Sequence, residues 1–302
     1  MLRKWHALPG LFLALVLAVT AGTGAILAFD AFVEARSAPV VADEAITLAD
    51  LADRVAARFP GVEKITRTPS GRVRVTYQEG GRPRTVFVDP QTALPVEGEA
   101  TSDLMRTITN LHRAWLSGDG GRLAVGVSAG AMLVLALTGL LLLRRLLGSW
   151  RKAIQPLSGR GARRWHLELG RLAVAGLLLS SVTGIEMSLV GFEVIPDAAA
   201  GQDRFVTGSG GTRAPLGTLE GLAALKLSSL REIALPDPAD ASDPVRVKTD
   251  RLTRFIDSST GAVLIEEPHS LLWQVQDITY RLHTAQGMAW LALLLGFSAA
   301  GG

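Results

Sequence analysis

The stretch Arg163-Arg164-Trp165-His166-Leu167-Glu168-Leu169-Gly170, running on through an apolar segment to Thr183-Gly184, decides how this chain folds. The same phrase opens the chain as Arg3-Lys4-Trp5-His6, with Gly10 and then Thr23-Gly24 behind it. His6 and His166, Gly10 and Gly170, and Thr23 and Thr183 are each 160 residues apart. A constant offset across three markers is the mark of an internal repeat. Two membrane helices are expected from it, each opening on one histidine.

The composition agrees. A chain of 302 residues with 48% hydrophobic residues and a mean hydropathy of +0.29 is too apolar for an ordinary soluble protein. The net charge of +3 is unremarkable, but the basic residues cluster, and a bilayer reads position rather than sum. Nothing in the sequence points to nucleic acid. The absence of cysteine excludes disulfides, thiolate haem ligation, cysteine-bound iron–sulfur clusters and a catalytic thiol.

Residues 7–29 carry no charge, and 23 helical residues rise about 35 Å, enough to cross a hydrocarbon core. A cleaved leader is the rival reading, since Arg3-Lys4 makes a basic start. The length of the run and its twin at mid-chain favour a span. Residues 123–143 form a second uncharged run, closed by Arg144-Arg145. The connection 144–164 holds seven basic residues and no acidic one, which makes it cytoplasmic by the positive-inside rule. The predicted layout is therefore a first span at 1–30, a polar module at 31–102 and an amphipathic segment plus second span at 103–144. A basic cytoplasmic loop follows at 145–165, a third span at 166–192, a second polar module at 193–268, and an amphipathic segment plus fourth span at 269–302. The fourth run finishes in Ala299-Ala300-Gly301-Gly302 without the Thr-Gly and Arg-Arg that close the second, so a longer parent chain is expected.

Within the first polar module, Leu48, Leu51, Val55 and Phe59 repeat at helical spacing, and Pro60-Gly61 stops them. Arg72 to Tyr77 alternates as a strand, Glu79-Gly80-Gly81 turns, and Thr85-Val86-Phe87-Val88 returns into Asp89-Pro90-Gln91-Thr92. The second module repeats that ending as Phe255-Ile256-Asp257-Ser258-Ser259-Thr260.

Four of the five histidines now fall into two sets. His6 and His166 sit at the cytoplasmic ends of the first and third spans; His112 and His283 sit in the amphipathic segments at the external ends of the second and fourth. Two imidazoles at one depth on different helices suit a haem iron held from both faces. Interfacial placement alone is the plainer alternative for each histidine taken singly, and zinc lacks a third and fourth ligand here. Trp5 and Trp165 read as interfacial anchors that also border the ligands. Gly24 and Gly184, within Thr-Gly pairs like Thr138-Gly139, admit either a neighbouring helix or a flat macrocycle. Arg171 is placed to meet a haem carboxylate or to pair with Glu168. Glu186 lies about 30 Å beyond His166, at the outer level, where an acid is either functional or simply interfacial. His269 reads as a solvated loop residue, with contact to an iron substrate as the alternative.

The helix, hairpin and Val-Asp-Pro-x-Thr closure of residues 46–94 resemble a PepSY domain. Together with Lys4-Trp5-His6, Leu111-His112-Arg113, Gly121-Arg122, Thr138-Gly139, Trp165-His166 and Leu282-His283, the whole chain resembles the PepSY-associated transmembrane family. That resemblance implies an α-helical membrane protein with four transmembrane helices in a tandem duplication and two α+β PepSY-like periplasmic modules. It further implies a bacterial inner-membrane oxidoreductase with two haem b groups. His6, His166, His112 and His283 are then axial ligands, and electrons pass from a cytoplasmic donor, a flavoprotein or a flavin-carrying reductase module, to a periplasmic ferric chelate such as a ferric siderophore. A PepSY-type membrane anchor or sensor that binds peptides or proteins without redox activity is the competing expectation.

Overall fold

The computed structural model describes residues 2–37, 45–96, 103–153, 155, 160–199 and 206–301. In chain order its elements are α1 (Leu2–Ser37), α2 (Leu48–Arg58), β1 (Val62–Arg67), β2 (Val73–Glu79), β3 (Arg82–Val88), α3 (Asp103–Ala114), α4 (Gly118–Leu147) and α5 (Trp150–Ala153). There follow α6 (Ala162–Gly191), α7 (Glu220–Ala223), β4 (Leu230–Ala234), β5 (Val245–Thr249), β6 (Leu252–Ile256), β7 (Val263–Pro268), α8 (Leu271–Thr284) and α9 (Ala289–Gly301). These divide into two compact units. One takes Met1–Arg36, Thr101–Asp197 and Val275–Gly302; the other takes Ser37–Ala100 and Ala198–Gln274.

The first unit is helical. α1, α4 and α6 are each long and apolar enough to cross a bilayer, and α8 with α9 makes a fourth candidate that bends by 63°. The outward side chains of α1 settle the environment: Leu11, Phe12 and Leu15 are 79%, 86% and 78% exposed. Each such side chain gains roughly 1.5–3 kcal/mol when it leaves water, so a continuous stripe of them demands lipid as its solvent. The chain is a multi-pass membrane protein. Against one another the helices use small residues, as packing without a hydrophobic driving force requires. Gly126 of α4 lies against Ser188 of α6, and Gly176 of α6 lies against Ser298 of α9.

The amphipathic segments form distinct helices. Between α3 and α4 the chain reverses through Trp115, Leu116 and Gly118, all at positive φ (44°, 56° and 57°). Between α8 and α9 it does so through Ala285 and Gly287 (51° and 76°). Left-handed residues are costly except at glycine, so two such corners mark positions where packing fixes the turn. The helix α4 begins at Gly118, ahead of the uncharged run that starts at residue 123, because Gly118 to Gly121 supply its first turn.

The second unit is a seven-stranded antiparallel sheet in the order β3-β2-β1-β4-β5-β6-β7, with helices supplying its core on one face. The two polar stretches read above as separate modules contribute to this one sheet. They join at β1 and β4, where Ile65 faces Ile233 at the middle of the pairing. The physical reason is the edge. Each meander has two edge strands, and pairing β1 with β4 removes the two inner exposed rows, leaving β3 and β7 as the edges of the sheet. Alternation places Ile65, Val73, Val75, Ile233, Val245 and Val247 on the face covered by Leu48, Leu51, Ala52 and Val55 of α2. The helix α2 starts at Thr47, whose hydroxyl accepts from the Asp50 N–H at 3.1 Å, and ends before Gly61 at φ 74°.

The repeated ending is visible as a repeated turn. Asp89 Oδ1 accepts the N–H groups of Gln91 and Thr92 at 2.8 and 2.9 Å; Asp257 Oδ1 accepts those of Ser259 and Thr260 at 2.8 and 2.9 Å. Asp257 is further held by the hydroxyl of Ser259 and the N–H of Ser209. Those bonds keep its carboxyl well below the usual carboxylate range.

Candidate functional site

The membrane unit brings the four expected histidines together in two couples. His6 of α1 and His166 of α6 face each other with ring centroids 6.1 Å apart. His112 of α3 and His283 of α8 do the same at 6.2 Å. These distances are too long for direct ring contact. Centroids about 6 Å apart fit one metal ion between the rings, with a nitrogen about 2.0–2.1 Å away on either side. Among the described residues no group of three or more His, Cys, Asp or Glu side chains is placed to hold a metal ion. Two imidazoles without further protein ligands do not complete a tetrahedral zinc site, whereas they do complete a metal already held in a plane by a macrocycle. The residues present therefore fit the group that the sequence suggested.

Three of the four histidines sit in the same cradle, made by a Thr-Gly pair on another helix. His112 Nδ1 lies 3.1 Å from Thr23 Oγ1 and 3.0 Å from the carbonyl of Thr20. His6 Nδ1 lies 3.1 Å from Thr138 Oγ1, and His283 Nδ1 lies 2.9 Å from Thr183 Oγ1. Each threonine hydroxyl donates its single proton to the helix carbonyl four residues back: Val19 at 2.8 Å, Val134 at 2.7 Å and Leu179 at 2.7 Å. The oxygen is left as an acceptor, so the proton in the bond to histidine is the Nδ1–H. The carbonyl of Thr20, which can only accept, requires the same tautomer at His112. Nε2 then carries the free lone pair.

The glycine beside each threonine completes the cradle. A Cβ placed on Gly24, Gly139 or Gly184 would lie 3.1, 3.0 or 3.4 Å from Cε1 of His112, His6 or His283. These glycines were read from the sequence as admitting a helix or a macrocycle, and what they admit in the structure is the edge of an imidazole. Thr23, Thr138 and Thr183 were recognised as motif residues without a ligand-holding role. The signal that points to them is the recurrence of Thr-Gly 17 residues after each leading histidine, at Thr23 and Thr183.

The remaining candidates lie differently. Arg171 pairs with Glu168 at 2.6 Å and also donates to the carbonyl of Gln155. Trp165 is 65% exposed on α6, the position of an interfacial anchor rather than of a pocket wall. The side chain of Trp5 lies outside the described residues. Glu186 is half-buried on α6.

His269 requires a correction. It is not a solvated loop residue but is 5% exposed, stacked on Trp273 at 3.6 Å between centroids. Its Nε2 lies 3.3 Å from Thr253 Oγ1, and its N–H donates to the Arg251 carbonyl at 2.9 Å. The acidic neighbours Glu266-Glu267 suggested water, whereas the end of β7 turns the following histidine inward. Burial, then Lys248 and Arg231, push its pKa down to about 4. A histidine kept neutral in the fold contributes stability above its unfolded pKa of about 6.5, and that contribution is lost as pH falls from 6.5 through 4. The sheet unit is therefore expected to melt several degrees lower at pH 4.5 than at pH 7, and His269→Gln to flatten that dependence, read from Trp273 fluorescence during thermal unfolding.

No curated protein matches the sequence. The family model of the PepSY-associated TM region, by contrast, matches residues 3–302, and the chain belongs to that family.

Proposed function

We propose that this chain holds two haem b groups, one between His6 and His166 and the other between His112 and His283, and passes electrons across the membrane. The observation that carries the reading is the pair of centroid separations, 6.1 and 6.2 Å, each too long for contact and each suited to one intervening metal. Helix geometry adds support. Thr23 touches His112, and 17 residues of α1 separate it from His6, a rise of about 25 Å. The two couples thus lie near opposite boundaries of a hydrocarbon core about 30 Å thick.

A haem held by each couple of imidazoles would supply reversible one-electron transfer. The residues of the chain do the rest. His6 and His166 would hold one group at the end bearing the basic connection, and His112 and His283 would hold the other at the opposite end. The basic residues of 144–164 support a cytoplasmic position for the first couple, in a bacterial inner membrane, with a flavoprotein or flavin-carrying module as donor. The sheet unit, built from two PepSY-like halves of a duplicated chain, then lies in the periplasm and faces the acceptor. Ferric iron in a siderophore is the acceptor class that suits the chemistry, because hard oxygen chelators hold Fe(III) more firmly than the Fe(II) that reduction makes.

An absorption spectrum of the purified protein tests this directly. Dithionite is expected to sharpen a Soret band and raise a distinct alpha band, with two haems per chain by pyridine haemochrome assay. A folded, colourless protein overturns the proposal and leaves the non-redox membrane anchor as the better account.

A further inference from the structure

We propose that Thr23, Thr138 and Thr183 are positioning residues that lock their histidines in the Nδ1–H form and set how strongly Nε2 donates to a bound metal. The inference rests on the two-haem reading and deepens it. Its geometry is the threefold repetition of one contact, at 3.1, 3.1 and 2.9 Å, between a threonine oxygen and Nδ1 of a histidine on another helix. The three contacts join residues 89, 132 and 100 positions apart in the chain, so no local helix rule generates them.

The hydroxyl is a one-way partner here. Its proton is committed to the i−4 carbonyl at 2.7–2.8 Å, which leaves the oxygen free only to accept. A backbone carbonyl three residues before each threonine reinforces it: Thr20 accepts from His112, and Leu135 and Ser180 hold the same place beside His6 and His283. A hydrogen bond accepted from Nδ1–H pushes electron density toward Nε2, makes the imidazole a stronger donor and favours the ferric state, so the reduction potential is lowered. The neighbouring glycine is what permits the approach, since a Cβ there would crowd Cε1.

The placement divides the work between centres. Thr23 and Thr183 act on His112 and His283, which form one couple, whereas Thr138 acts on His6, in the other. Each helix α1 and α6 therefore gives a ligand at one level and a threonine at the opposite level. A substitution at one threonine should report on one centre only, with the second centre of the same molecule as reference. A role in helix packing alone predicts no such division.

The test is a spectroscopic potentiometric titration of the full chain carrying its haems, with Val and Ser variants at each threonine. Thr138→Val is expected to raise one of the two midpoints and leave the other in place; Thr23→Val and Thr183→Val are expected to raise the second and spare the first. The affected site is expected to lose about 10- to 100-fold in haem affinity, the usual effect of removing a partner of a ligating histidine. The Ser variants, which keep the hydroxyl, are expected to stay near the parent. If a Val variant sheds one haem outright, the midpoint that remains identifies the spared centre and serves as the same readout. The proposal is overturned if both midpoints move together, if neither moves, or if Ser shifts a centre as far as Val. A parent protein without haem instead removes the two-haem reading itself, which is a separate result.

Discussion

On the two-haem reading, replacing His112 or His283 by alanine is expected to yield a protein with one haem instead of two, in which electrons no longer reach an acceptor beyond the His112 and His283 end. The argument is the ligand count. Each couple consists of two imidazoles alone, with no third His, Cys, Asp or Glu among the described residues to take over. Removing a partner that merely orients a ligand already costs about 10- to 100-fold in affinity, so removing the ligand itself should cost more. The same replacement at His6 or His166 is expected to remove the other haem and to cut the path at the opposite boundary. Acceptor reduction in inverted membrane vesicles is expected to fall by about two orders of magnitude or more for any of the four variants. The alpha-band amplitude per chain should fall by about half in each, since the two couples use separate residues. Equal loss of both haems from a single replacement would show that the couples do not bind independently.

The second large effect is expected from a single methyl group. Gly121 is buried at the start of α4, where a Cβ would run into the backbone carbonyl of Ala114 at the end of α3. Backbone cannot rotate aside as a side chain does. Gly121→Ala therefore has to displace α3 or unwind the first turn of α4, and overpacking of this kind costs about 1–3 kcal/mol or more. His112 lies two residues before Ala114, so any displacement of α3 moves that ring off Thr23 and away from His283. On the same two-haem reading the expected result is selective: the His112 and His283 centre is lost or becomes heterogeneous in its ferric electron paramagnetic resonance signal, while the His6 and His166 centre keeps its spectrum. Equal retention of both centres in Gly121→Ala would show that α3 tolerates the shift.

That corner also shows where sequence reading stops. Ser117-Gly118-Asp119-Gly120-Gly121 separates His112 from the apolar run in sequence, which says nothing about the depth His112 reaches. In the structure, left-handed residues at Trp115 and Leu116 fold α3 back beside α4, and the ring faces His283 across 6.2 Å between centroids. The sheet offers a parallel case. Alternation in residues 72–77 and the return at 85–88 mark strands, but pairing of β1 with β4 depends on two edges separated by more than 160 residues finding each other. His269 reverses a local expectation for the same kind of reason: its acidic neighbours are a property of the sequence, whereas its burial against Trp273 is a property of how β7 meets α8.

What the sequence determined by itself is whatever neighbouring residues encode. Uncharged runs longer than a bilayer is thick, the basic connection and the amphipathic segments around His112 and His283 are all short-range patterns, and the 160-residue repeat copies them along the chain. They sorted four histidines into two couples before any contact was known. Only the tertiary structure decided which ring nitrogen of His6, His112 and His283 meets a partner. That choice is made by threonine oxygens on other helices, 89 to 132 residues away, and by glycines that let an imidazole edge approach. Helix packing creates these contacts, and packing is a property of surfaces that come together only when the chain has folded.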